Sequence, residues 1–180
     1  MTLELEDARF EVATGKGVLR ARTLILAVGR RGTPRKLEVP GENLPKVMYR
    51  LIDAESYRGQ KILVVGGGDS AVEAAIGLAR QGDNDVTLSY RRDKLVRIKK
   101  KNDDRFAPLA ASGRIKTAFG SRVVEVGPQS VRLQTGSAVQ EIANDYVFVF
   151  AGGEPPFAFL KHCGVRFGGP AAEAASPARV

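Results

Sequence analysis

The sequence predicts an α/β fold in which a parallel sheet is covered by helix and a small antiparallel β-meander is attached. Three observations predict it. The apolar run Ile62-Leu63-Val64-Val65 enters Gly66-Gly67-Gly68 and leaves as the alanine-rich stretch Ala71-Val72-Glu73-Ala74-Ala75, the layout of a buried strand, a tight turn and a helix. A second β-rich run, Val86–Tyr90, follows and completes a βαβ unit, for which a right-handed crossover is expected. After it, short runs over 122–126, 130–134, 139–143 and 145–150 are separated by turn signals at Gly127-Pro128 and Gly136-Ser137.

From the N-terminus, residues 9–14 and 18–21 read as strands joined at Thr14-Gly15-Lys16-Gly17, a hairpin signal. Thr23–Val28 is a continuous apolar run, as expected of a strand buried on both faces. The prolines, glycines and charges of residues 30–42 predict an extended linker. Ser56–Gln60 leads into the strand Lys61–Val65. The helix after the glycine turn is expected to reach Gln81, with Gly82 as its C-cap. A second helix is expected over Asp103–Ala111 and a third strand of the sheet over Arg114–Phe119. Two meanders then flank one βαβ-type core. The tail from Gly168, rich in Ala, Pro and Gly, is expected to be disordered.

The chain has 180 residues, of which 43% are hydrophobic, enough to bury a core. It holds no apolar run long enough to span a bilayer, and its first residues are acidic, unlike a signal peptide. A cytoplasmic location without membrane contact is the expectation. Cys163 is the single cysteine and His162 the single histidine, which excludes a disulfide framework and a Cys/His zinc site within one chain. Their adjacency does not make a reactive pair, because neighbouring side chains point apart and no third partner is evident; an inert cysteine is expected. The net charge is +8, and it is local. Residues 91–101 hold seven cations against one anion, Asp93. Few aromatics interleave them, so nucleic-acid binding is disfavoured.

The glycine turn has the chemistry of a pyrophosphate cradle. Gly66 permits the sharp turn, Gly68 lets the backbone approach a phosphate, and Ala71 keeps the helix close to the strand. The amides of Gly67, Asp69 and Ser70 would point at the anion, and the helix dipole favours negative charge there. Asp69 and Ser70 are also N-cap material, and Glu73 suits a first helical turn. The domain expected is therefore a Rossmann-like, three-layer nucleotide-binding domain. An acid at the tip of its second strand would bind the ribose 2′-hydroxyl of NAD, whereas arginine suits the 2′-phosphate of NADP. This chain has Ser89-Tyr90-Arg91-Arg92. Guanidinium forks match phosphate, and Tyr90 could stack on the adenine. The expected cofactor is NADPH. Lys99-Lys100-Lys101 reads as a solvated basic face. Gly152 would let the nicotinamide half approach the backbone, or simply ends a strand.

These residues resemble the FAD-dependent pyridine nucleotide-disulfide oxidoreductases, in particular their thioredoxin reductase-like branch. Thr23–Gly29 with Arg30-Arg31-Gly32-Thr33-Pro34-Arg35 looks like that family's crossing from flavin domain to NADPH domain. Gly66-Gly67-Gly68-Asp69-Ser70-Ala71 resembles its NADPH motif, and Arg91-Arg92 its 2′-phosphate pair, with Arg97 in place of the usual third arginine, one position late. Asp145–Gly153, before Pro155-Pro156, looks like the return strand. The wording Gly-Arg-Arg-Gly-Thr-Pro-Arg-Lys and Ser-Tyr-Arg is similar to the bacillithiol disulfide reductase-like proteins. The resemblance implies partial FAD-domain strands and linker over 1–48, an NADPH-binding domain over 49–155, and a return segment and tail over 156–180.

The sequence departs from the family in three ways. It has no CxxC, which excludes a dithiol relay within the chain, and it lacks both the FAD-binding GxGxxG and the late Gly-Asp motif that closes around the flavin. The flanking strands are then remnants of an FAD domain. The chain is expected to be a piece of a longer enzyme or to meet its flavin half on another polypeptide. By itself it should bind NADP(H) with little or no turnover. Its expected partners are NADP(H) and either a second copy, as a homodimer, or a flavin-domain partner. The rival expectation is a non-catalytic NADP-binding module that docks on a partner supplying a flavin or iron–sulfur half.

Overall fold

The computed structural model describes residues 10–27, 34–153 and 156–166. The chain divides into two units, Pro34–Gly152 and the two flanking segments.

The larger unit is built on a five-stranded parallel sheet. Its strands are β3 (Val47–Met48), β4 (Lys61–Val65), β5 (Asp85–Tyr90), β6 (Ile115–Phe119) and β10 (Tyr146–Val149), in the order β3-β10-β4-β5-β6. Alternate residues face opposite ways. Ile62, Val64, Val86, Leu88 and Phe148 pack under α1 (Asp69–Ala79) and α2 (Lys100–Ala111). Leu63, Val147 and Val149 pack on the other side, against Val123, Val126, Val131 and Leu133 of the antiparallel meander β7 (Ser121–Val126), β8 (Ser130–Thr135) and β9 (Ala138–Ala143). The predicted α/β three-layer fold with its meander is thus borne out. Helices, parallel sheet and meander stack in that order.

One expectation on topology is corrected here. Residues 145–150 read as the last of a run of meander strands, but β10 lies between β3 and β4 in the parallel sheet. The cause is its composition: Val147, Phe148 and Val149 are all buried, and a strand covered on both faces has no polar alternation.

Helix ends also differ from expectation. α1 stops at Ala79 with Arg80 as its C-cap, so Gly82 is not the cap. Side chains take over the orphan carbonyls of the last turn. Asn84 Nδ2 donates to Leu78 O at 2.9 Å, and Arg114 Nη2 donates to Ala79 O and, at 3.1 Å, to Gly82 O. A cation at a helix C-terminus also suits the dipole. Asn84 is buried, and it further accepts from Gln60 N and donates to Tyr57 O. α2 begins at Lys100, three residues before the predicted Asp103. The carboxylate that supports its start comes from α1, as described below.

In the other unit, β1 (Phe10–Thr14) and β2 (Gly17–Ala21) form the predicted hairpin, with Thr14 Oγ1 donating to Gly17 O at 2.8 Å. Thr23–Val28 was expected to be a buried strand. Residues 23–27 carry no strand pairing, and Ile25 is 85% exposed; Val28 lies outside the described residues. An apolar run becomes a strand only where ladder partners meet it, and none among the described residues pairs with this one. The helix α3 (Phe157–His162) was not foreseen. Residues 30–33, Pro155 and the tail from Gly168 lie outside the described residues.

Among the described residues no helix is long and apolar enough to cross a membrane, and no cluster of His, Cys, Asp or Glu could hold a metal ion.

Candidate dinucleotide site

The chain runs from β4 outward through β5 to β6, and β10 then pairs on the opposite side of β4. At such a reversal the connections leave in opposite directions, and a crevice opens beyond the carboxyl ends of the two strands. A cavity of about 450 Å³ lies there. Gly66, Gly67 and Gly68 line it after β4, Ser89, Tyr90 and Arg91 at the end of β5, and Phe150, Ala151 and Gly152 after β10.

The three glycines do different things. Gly66 has φ 148°, and a Cβ on it would stand 2.6 Å from the Phe150 carbonyl oxygen and 2.9 Å from the Ala71 Cβ. Its own N–H donates to Ser89 O at 2.9 Å. The crossing of β4, β10 and α1 requires glycine there. A Cβ on Gly67 would lie 2.2 Å from the Tyr90 ring, so the ring packs on this peptide. Around Gly68 a Cβ would meet nothing within 4 Å. The fold sets no steric requirement for glycine at 68, and the backbone there is open to close approach.

Gly68 is the N-cap of α1, and no side chain caps the helix. Asp69 and Ser70, read as N-cap material, do not play that part. Ser70 is exposed on the first turn. The Asp69 carboxylate turns to α2, where its Oδ1 accepts from Lys99 N at 2.9 Å and Asn102 Nδ2 at 2.7 Å. The Lys99 N–H, then the Asn102 amide, hold this carboxyl below its ordinary value. Asn102 Nδ2 also donates to Glu73 Oε1 at 2.8 Å. No side chain therefore takes up the first-turn amides of α1, which a helix leaves without intrahelical partners.

The basic loop after β5 folds back over the turn. Arg97 pairs with Gly68 in a parallel bridge and lines the cavity together with Arg91. Arg92 does not line this cavity. Its carbonyl accepts from Gly120 N at 3.0 Å, and it lines a second recess together with Arg91, Asp93, Lys94 and Val96. The predicted residues Gly66, Gly67, Gly68, Tyr90, Arg91, Arg97 and Gly152 therefore meet in one cavity. Asp69, Ser70 and Ala71 form the helix start beside it, with Ala71 fully buried.

Arg35, Lys36, Leu37 and Arg122 also line the cavity, and sequence reasoning missed them. Residues 34–42 read as a linker, but Glu42 folds them back. Its carboxylate accepts from Leu37 N at 2.5 Å, from Glu38 N at 2.8 Å and from the Tyr49 hydroxyl. Burial pushes the Glu42 carboxyl up, but the bonds from Tyr49, Leu37 and Glu38, with the Lys36 charge, outweigh it and hold the group below its ordinary value. Burial and the Glu42 carboxylate push the Tyr49 phenol up. The Lys36 ammonium sits 4.3 Å from the centre of the Tyr49 ring, and Arg35 N donates to Gly152 O at 3.0 Å. The signal for this, an acid five residues after Leu37, is too common to be read alone.

The family model described as pyridine nucleotide-disulphide oxidoreductase matches residues 1–172. The chain is 32% identical over 162 residues to bacilliredoxin reductase Bdr of Bacillus subtilis, covering 89% of this chain and 50% of that protein. It is 31% identical to a ferredoxin–NADP reductase of Ignicoccus hospitalis, covering 82% and 49%. The solved thioredoxin reductase of Lactococcus lactis superposes with a TM-score of 0.71 at 31% identity, over 91% of this chain and 54% of that one. The chain spans about half the length of the curated relatives it matches. The resemblance seen in the motifs is borne out: this chain belongs to the FAD-dependent pyridine nucleotide-disulphide oxidoreductases, an oxidoreductase family of flavoproteins.

Proposed function

We propose that this chain is the NADPH-binding portion of a flavin-dependent pyridine-nucleotide oxidoreductase. One observation supports it above the rest. The glycine turn, the uncapped start of α1 and the guanidinium groups of Arg91 and Arg97 all line or adjoin one crevice at the reversal of the sheet. The residues fit the cofactor. The open space at Gly68 admits a pyrophosphate against the first-turn amides, and the arginines supply planar donors to a ribose 2′-phosphate. Phe150, Ala151 and Gly152 form the wall at the other end, where Ala151 and Gly152 carry little side-chain bulk. Bound NADPH supplies a hydride, for which FAD in the intact enzyme is the acceptor before a disulfide or another terminal acceptor is reduced. Residues of this chain hold and orient the donor; none among them is proposed to act on the acceptor.

The NADPH-binding domain is proposed over 49–155, with 1–48 and 156–180 on the flavin side; the compact unit Pro34–Gly152 supports its core and draws residues 34–48 away from the flavin side. The relatives' names differ in the acceptor and agree in the word reductase.

A second proposal, an NADP-binding module that docks on a partner bearing the flavin or iron–sulfur half, is favoured by the exposure of Leu24, Ile25 and Leu26. Both proposals share the cofactor. Titration of the purified chain while following NADPH fluorescence is expected to show saturable binding of one NADPH per chain. A signal that never saturates overturns both.

A further inference from the structure

The strand-tip arginines are not the only cations facing the crevice. Arg122, on β7, lines the main cavity and also a smaller recess of about 140 Å³. Arg91 lines both spaces as well. These two arginines come from different parts of the fold, one from the loop after β5 and one from the meander.

Arg122 is fixed in place. Its Nε and Nη2 both donate to Gln134 Oε1, at 3.0 and 2.8 Å, and Gln134 Nε2 donates to Gly136 O at 2.9 Å. One edge of the fork is thereby anchored along the meander, and its remaining N–H groups are left for another acceptor. Among the described residues, no carboxylate pairs with Arg91 or Arg122. Two cations lining one recess repel each other, and a dianion between them removes that repulsion. A planar fork held at one edge suits a phosphate monoester. The recess has room for one phosphoryl group.

We propose that Arg122 determines cofactor specificity by holding, with Arg91, the 2′-phosphate of the adenosine ribose on the meander side of the crevice. This rests on the NADPH-binding function proposed above. Gln134 is a positioning residue, since it touches the arginine and not the phosphate.

Calorimetric titration of the full chain with adenosine 2′,5′-bisphosphate and with 5′-AMP tests it without the nicotinamide half. Arg122→Gln should raise the Kd for the bisphosphate about tenfold or more, the effect of one charged hydrogen bond, and that for 5′-AMP less than about twofold. Gln134→Ala, which keeps the charge but frees the fork, should weaken the bisphosphate alone, by a smaller factor. Equal weakening of both probes by Arg122→Gln, or no weakening of either, overturns the assignment. If the wild-type chain binds neither probe, the dinucleotide function falls and the assignment with it. If the wild-type preference for the bisphosphate survives Arg122→Gln, the assignment of Arg122 falls alone.

Discussion

Gly66→Ala is expected to cost about 3–4 kcal/mol of stability and to abolish dinucleotide binding. The added methyl would meet the Phe150 carbonyl oxygen at 2.6 Å and the Ala71 Cβ at 2.9 Å. Neither neighbour can give way. Phe150 N donates to Val65 O at 2.7 Å, which ties that residue to β4, and Ala71 is fully buried on α1. The backbone at φ 148° adds strain for any side chain.

Gly68→Ala is the informative contrast. Its methyl meets nothing, and its φ of −106° suits any residue. Stability should change by no more than about 1 kcal/mol, the weaker N-cap of alanine. Binding of NADPH and NADH should nevertheless both fall, by about tenfold or more, because the methyl occupies the approach of the pyrophosphate. Urea denaturation and fluorescence titration measure the two effects separately. A Gly68→Ala protein that binds like wild type would show that the turn does not seat a phosphate.

The second large effect concerns the arginines. Arg91→Ala combined with Arg97→Ala is expected to weaken NADPH by at least about 100-fold, two charged hydrogen bonds at roughly 1.5–3 kcal/mol each, reduced somewhat by exposure. NADH, which lacks the 2′-phosphate, should weaken by less than about threefold. Arg92→Ala should have a smaller effect than either Arg91→Ala or Arg97→Ala alone, because Arg92 does not line the main cavity. The NADPH affinity should also fall with added salt, as screening predicts. Equal loss of both cofactors would reduce Arg91 and Arg97 to supports of the loop.

What could be read from the sequence was what is encoded locally. The unit β4, glycine turn, α1 and β5 is specified by adjacent residues, through an unbroken apolar run, three glycines and an alanine-rich helical face. What stayed hidden depends on partners far along the chain. β3 is two residues long and exists through its pairing with β10. The start of α2 is set by Asp69, thirty residues upstream of Lys99. Residues 35–37 become a cavity wall because Glu42 turns the loop back. Arg122 reaches the crevice only because the meander covers the sheet. Residues 23–27 show the reverse case: a strong local strand signal that meets no ladder partner among the described residues. Arg91 and Arg92 are indistinguishable as residue types, and the fold places only Arg91 in the main crevice.

The central claim is that the crevice at the β4–β10 reversal binds NADP(H) in preference to NAD(H). Parallel calorimetric titrations of the wild-type chain with NADPH and NADH test it most directly. The account predicts one site per chain and a Kd for NADPH at least about tenfold lower than for NADH, the contribution of one charged hydrogen bond or more. Equal affinities, or tighter binding of NADH, would contradict it.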